Sequence, residues 1–275
     1  MDTLSIFQAF ILGIIQGLTE FLPVSSSGHL ILTREVFNFP DPGKTFDILM
    51  HFGTLIALII YFRDDLIEIA NSTFKSFKQK KFYGSNETNL FWFLIISTIP
   101  GALFGLLFND KLEDIKSIYI ISTLLIIFGI FLFVSDITGK KTKEISQFTF
   151  KDAAVVGLAQ ALALFPGVSR SGITMTAALF LGFSRASSAR YSFLISIPLI
   201  VGISIYGLIK IIKSAPQISA IMVLIVGFIA SMASGFLCIK FLLGYLKKGT
   251  FKGFVIYREI MGVLLIILGL MGIIK

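Results

Sequence analysis

Charge is what this sequence has least of. Asp, Glu, Lys and Arg make up 15% of its 275 residues, against about a quarter in an ordinary soluble domain. With 55% hydrophobic residues and a mean hydropathy of +0.89, the chain reads as an integral membrane protein. Its single cysteine, Cys238, excludes an intrachain disulfide and offers no thiol metal site; lying in an apolar span, it reads as packing. No Rossmann fingerprint, P-loop or zinc motif is present. The N-terminal apolar stretch lacks a basic leader and a small-residue cleavage site, so it is read as part of the mature fold rather than as a signal peptide.

Long apolar runs are there instead. A hydrocarbon core of about 30 Å takes about 20 apolar residues of helix, and six windows reach that, at about 46–62, 90–108, 117–135, 190–212, 218–240 and 255–274. The net charge of +8 does not mark a nucleic-acid binder, because the basic residues sit in loops between spans rather than on one helical face. Arg63, Lys75, Lys78, Lys80, Lys81, Lys140, Lys141, Lys143, Lys151, Lys247, Lys248 and Lys252 fall on one side, and Arg34, Lys44, Lys111, Lys116 and Lys213 on the other. The positive-inside rule puts the richer set in the cytoplasm and both termini outside.

One apolar stretch is interrupted by PVSSSGHLIL, residues 23–32, and the interruption has a second copy. A shift of 144 residues lays GIIQGLTEFLPVSSSG at 13–28 on GLAQALALFPGVSRSG at 157–172, with eight identities in sixteen. Each half, 1–143 and 144–275 of a single membrane domain, is then an interrupted segment followed by three spans. Three is odd, so two segments that dip in and return would enter from opposite sides as inverted repeats. The expected fold is all-α, with six transmembrane helices and two re-entrant helical hairpins. Irregular backbone survives at that depth only when buried in protein or lining a wet cavity, so the serines are expected to line a polar pocket where the hairpins meet.

On the first hairpin Gln16 and Glu20, four residues apart, share a helical face. A carboxylate at this depth is costly enough to read as functional, with polar pairing as the alternative. Ser25, Ser26 and Ser27 supply hydroxyls, Gly28 allows a tight turn, and the next helix aims its N-terminal amides at an anion. His29 is a candidate proton-transfer group. The second hairpin carries Arg170 in place of Ser26, with Ser169, Ser171 and Thr174 around it. Arg170 must meet an anion, either Glu20 or a substrate; a guanidinium fits phosphate as a two-pronged fork. The set favours phosphoryl binding, with a hard divalent cation held by Glu20 and phosphate oxygens as a further option.

EFLPVSSSGH, with Gln16 ahead of it, and PGVSRSGIT at 166–174 resemble the two signature motifs of the undecaprenyl pyrophosphate phosphatases, the bacitracin resistance proteins. FDILMHFGTLIALIIYF at 46–62 and SFLISIPLIVG at 192–202 are similar to the spans that flank them. The resemblance implies removal of the terminal phosphate from a C55 isoprenoid diphosphate to regenerate the carrier for cell-wall synthesis. It implies Gln16 and Glu20 as the (E/Q)xxxE element, Ser26 as nucleophile and His29 as general acid/base. It assigns Ser169, Arg170, Ser171 and Thr174 to the diphosphate and implies dependence on Mg²⁺ or Ca²⁺, with metal ligation resting on Glu20. Whether serine or histidine attacks stays open. The expected partners are a polyprenyl diphosphate lipid, the bilayer of the bacterial inner membrane and, as one option, a second copy in a homodimer; nucleic acid is not among them. The inverted repeats also fit a polyprenyl-phosphate flippase or an anion transporter.

Three secondary expectations complete the reading. Asp47 and His51 form another i, i+4 pair, suited to hydrogen bonding or to supporting the hairpin; Arg185 and Arg190 read as snorkelling to the interface; and the polar, Lys-rich residues 72–89 read as a mobile cytoplasmic loop.

Overall fold

The computed structural model describes residues 4–113, 117–214 and 218–274; of the lysines used to orient the chain, Lys116 lies outside the described residues. Eleven α-helices follow one another among them: α1 (Ile6–Phe21), α2 (Ser26–Phe37), α3 (Lys44–Tyr61), α4 (Arg63–Lys78), α5 (Asn86–Glu113), α6 (Ile118–Thr138), α7 (Phe150–Ala161), α8 (Arg170–Phe180), α9 (Arg185–Ser214), α10 (Ile218–Tyr245) and α11 (Lys252–Leu270). Six of them, α3, α5, α6, α9, α10 and α11, are long and apolar enough to cross a bilayer, and they coincide with the six windows read from hydropathy.

The two interrupted segments are α1–α2 and α7–α8, and they open alike. Ser5 caps α1 in a reciprocal box with Gln8, and Thr149 caps α7 in the same box with Asp152; both pairs keep the 144-residue offset. Gly13 lies so close to α10 that a Cβ there would stand 2.6 Å from the Gly227 carbonyl oxygen, and at its counterpart Gly157 a Cβ would stand 2.7 Å from the Ser97 Cα of α5. Small residues let helix backbones approach where no water drives them together. The packing is therefore reciprocal: α1 lies against α10 and α7 against α5, while α6 and α11 pack on each other between the halves. Phe21, Phe62 and Phe193 meet edge to face in the main apolar cluster.

Two expectations change. Residues 72–78 are the last turns of α4, not part of a loop, and only 79–85 link it to α5. The lysines of this stretch hid a second face on which Leu66, Ile69, Ala70, Thr73 and Phe77 line an apolar cavity of about 420 Å³ shared with α5 and α9. Arg185 and Arg190 do not simply snorkel, since Arg185 pairs with the buried Asp136 and Arg190 with Asp65.

Candidate active site

The first helices end differently, α1 at Phe21 just before Pro23 and α7 at Ala161 with a 3-10 turn, Leu162–Leu164, before Pro166, but one serine restarts the second helix in each. Ser25 and Ser169 both take positive φ, 72° and 71°, a region costly for any residue with a Cβ. The conformation aims each side chain back as an N-cap. Ser25 Oγ accepts from the Gly28 N–H at 3.5 Å and Ser169 Oγ from the Gly172 N–H at 3.1 Å. Each cap serine also meets the serine two residues on, Ser27 at 3.3 Å and Ser171 at 3.2 Å. Two helix N-termini with free amides thus stand in equivalent loops, the arrangement that receives anions.

Glu20, 7% exposed, is where the loops converge. Oε1 accepts from Arg170 Nη2. Oε2 accepts from Ser26 Oγ at 2.7 Å and from Gln16 Nε2 at 3.0 Å, and His51 Nε2 stands 3.7 Å away. Gln16, Glu20, Ser26 and Arg170 are thereby brought together, as the sequence led one to expect, and His51 joins them. Asp47 turns away to pair with Arg34. Ser26 and Arg170 remain partly accessible, so the cluster has an open face.

The other candidates divide. Ser171 Oγ donates to the Leu22 carbonyl oxygen at 3.0 Å and so ties the second loop to the first. Thr174 is fully buried, its hydroxyl taken up by the Arg170 carbonyl at 2.8 Å and Ser192 Oγ at 2.6 Å; its contacts are within the protein. His29 is held by both ring nitrogens: Nδ1 lies 2.8 Å from the Ser25 carbonyl oxygen and Nε2 2.6 Å from Tyr257 Oη.

Arg258 of α11 was missed by sequence reading. It is 1% exposed, and its guanidinium donates to the carbonyls of Pro23 at 3.0 Å, Gly167 at 3.1 Å and Val168 at 3.2 Å, clamping both loops from behind. The signal was available, because an arginine inside an apolar span is as costly as Arg170. No carboxylate motif drew attention to it.

Among the described residues no three His, Cys, Asp or Glu side chains form a ready-made cage for a metal ion. Gln16 Oε1 is nevertheless buried beside Glu20 without a hydrogen-bond partner, a hard oxygen next to a carboxylate. That pair fits a cation whose remaining ligands come from substrate phosphate and water.

Comparison with known proteins places the chain in a family. The family model described as "Bacitracin resistance protein BacA" matches residues 9–264. Proteins named undecaprenyl-diphosphatase are similar along nearly their whole length. The one from Moorella thermoacetica is 43% identical over 264 residues, covering 96% of this chain and 97% of its own. Those from Teredinibacter turnerae, 42% identical, and Campylobacter concisus, 43% identical, each cover 96% of this chain and 99% of their own. The resemblance of the two loop motifs is borne out: the chain belongs to the bacitracin resistance protein BacA family.

Proposed function

We propose that this chain hydrolyses undecaprenyl diphosphate to undecaprenyl phosphate and inorganic phosphate, recycling the lipid carrier for peptidoglycan synthesis. The observation that carries the proposal is the Arg170–Glu20 ion pair, which joins the phosphate-type cation of one loop to the carboxylate holding Ser26 on the other. The names of the relatives supply the substrate.

On this reading the diphosphate displaces Glu20 from Arg170, whose fork takes the terminal phosphate oxygens while the amides of α2 and α8 face the charge. Ser26 Oγ attacks the terminal phosphorus as its proton passes to Glu20. The bond from that phosphorus to the bridging oxygen breaks, and its electron pair leaves with undecaprenyl phosphate, which takes the proton from Glu20. Water then cleaves the phosphoserine, giving one proton to Ser26 Oγ and leaving as inorganic phosphate. Ser26 is favoured over His29 as nucleophile because it is bonded to a carboxylate, whereas both His29 nitrogens are engaged. Glu20 and Gln16 Oε1 would hold a divalent cation, Mg²⁺ or Ca²⁺, which when bound neutralises charge on the phosphates. All the side chains invoked come from one chain, so the reaction needs no homodimer.

The matched caps, close-approach glycines and reciprocal packing support two re-entrant hairpins arranged as inverted repeats. With the lysine-rich loops in the cytoplasm of a bacterial inner membrane, both termini and the mouth of the site face outward. A cysteine placed at Lys44 in a Cys238→Ala background tests this: an impermeant thiol reagent labels it on intact cells, and labelling only after lysis would reverse the topology. Phosphate release from C55 diphosphate in detergent tests the reaction. It is lost in Ser26→Ala and Arg170→Ala while both still fold, Arg170→Ala at reduced stability, and is abolished by chelator; normal turnover in both variants would refute it. The same duplicated loops favour a flippase as second reading, which a lipid-flip assay on reconstituted Ser26→Ala separates from hydrolysis.

A further inference from the structure

Tyr257 lies on the spanning helix α11, 228 residues from His29 in sequence, and no motif includes it. Its ring stacks on the imidazole with centroids 5.5 Å apart and planes 12° apart, and its hydroxyl is 2.6 Å from Nε2. On the other side of the ring, Nδ1 is 2.8 Å from the carbonyl oxygen of Ser25, the residue with positive φ. A carbonyl oxygen only accepts, so Nδ1 carries the proton; Nε2 of the neutral ring then holds the lone pair, and the phenol O–H donates to it. The ring's plane, its tautomer and the direction of its accepting electron pair are all set by these two contacts.

We infer that Tyr257 is a positioning residue for His29, fixing the Nδ1-protonated tautomer and keeping Nε2 capped by a phenol rather than by water. This rests on the proposed reading of the site and adds to it a role for His29, about one turn along α2 from Ser26: the group that carries the water's proton to Ser26 Oγ when the phosphoserine is cleaved. Tyr257 is its partner, supplied from the far end of the chain. The stack and the hydrogen bond are separable, because Tyr257→Phe keeps the ring and removes only the donor. The adjacent Arg258 clamps the loop backbones from the same turn of α11, so the tyrosine stays placed when its hydroxyl is deleted.

The test has a spectroscopic arm and a kinetic arm. The chain has two histidines, so His51→Gln leaves His29 as the sole source of imidazole signals in nitrogen NMR of isotope-labelled protein in detergent. The Nδ1-protonated tautomer is expected with Tyr257 present, and a mixture of both tautomers with Tyr257→Phe. A dominant Nε2-protonated form before substitution, or an unchanged spectrum after it, overturns the inference. In phosphate release from C55 diphosphate, Tyr257→Phe is expected to lower kcat about tenfold with little change in KM, and to add nothing in a His29→Ala background. Full activity of Tyr257→Phe, or an equal loss in both backgrounds, overturns it as well. If the unsubstituted protein releases no phosphate, it is the proposed function that fails, and the tautomer spectrum still judges Tyr257.

Discussion

The first loop, around residues 20–29, and the second, around 164–173, share the geometry of the cap that restarts the chain as helix and differ in nearly every group that carries chemistry. Both use a serine at positive φ as cap, a second serine beside it and a glycine whose amide it receives. Yet Glu20 faces Leu164 at the equivalent position, Ser26 faces Arg170, and His29 faces Ile173. The caps leave two matching helix ends suited to an anion; on the proposed reading, the side chains that differ make one a bed for a nucleophile and the other a phosphate clamp. A symmetric site would need two buried carboxylates or two buried arginines side by side, and like charges at low dielectric repel strongly. Opposite charges on the two loops instead pair across them, and on the proposed reading a diphosphate opens that pair.

The sharpest way to break this comparison is to make the loops alike. Arg170→Ser gives the second loop the VSSSG run of the first and should cost about 10³-fold or more in phosphate release, since it removes the guanidinium proposed to hold the transferring group. Arg170→Lys keeps charge but not the fork and should recover only part of it. Full activity in Arg170→Ser would mean that the difference at this position carries no chemistry. Glu20→Gln comes next. It keeps shape and a hydrogen bond to Ser26 but leaves the largely buried Arg170 without its carboxylate, so a loss of up to about 3 kcal/mol in stability is expected along with a large fall in turnover. Thermal unfolding in detergent separates the two effects; an unchanged midpoint would show that Arg170 does not depend on Glu20.

How far the sequence carried follows from the range of each signal. Hydropathy is local, and it located all six long helices. The 144-residue offset and the cost of charge in an apolar setting singled out Gln16, Glu20, Ser26 and Arg170, which the fold unites around one carboxylate. Partners at long range stayed hidden. Nothing near Arg185 or Arg190 names Asp136 or Asp65, and nothing near His29 names Tyr257. Arg258 passed unnoticed because it binds backbone carbonyls, which leave no trace in side-chain pattern. The helix at α4 was obscured because lysines on its outer face dominate composition, whereas Leu66, Ile69, Thr73 and Phe77 keep a helical period beneath them.

Where the halves agree, substitutions should act alike. Gly13→Leu and Gly157→Leu each force a side chain into a backbone contact below 3 Å. Overpacking of this kind costs about 1–3 kcal/mol, and the two unfolding midpoints should fall together. A large fall at one glycine only would mean that the two helix contacts are not equivalent.

The smallest expected effect concerns the two cap serines. Glycine at position 25 or 169 relieves the strain of positive φ, worth about 1–3 kcal/mol in a residue with a Cβ. Against that, replacing a serine cap by glycine loses only a few tenths of a kcal/mol. Ser25→Gly and Ser169→Gly should therefore leave stability unchanged or slightly raised, while alanine, which keeps the strain and loses the cap, should destabilise by about 1 kcal/mol. If glycine lowers the midpoint as much as alanine at either position, the hydroxyl is holding its loop through more than the cap. The contacts of Ser25 with Ser27 and of Ser169 with Ser171 would then be the first to examine, by substituting each partner in turn.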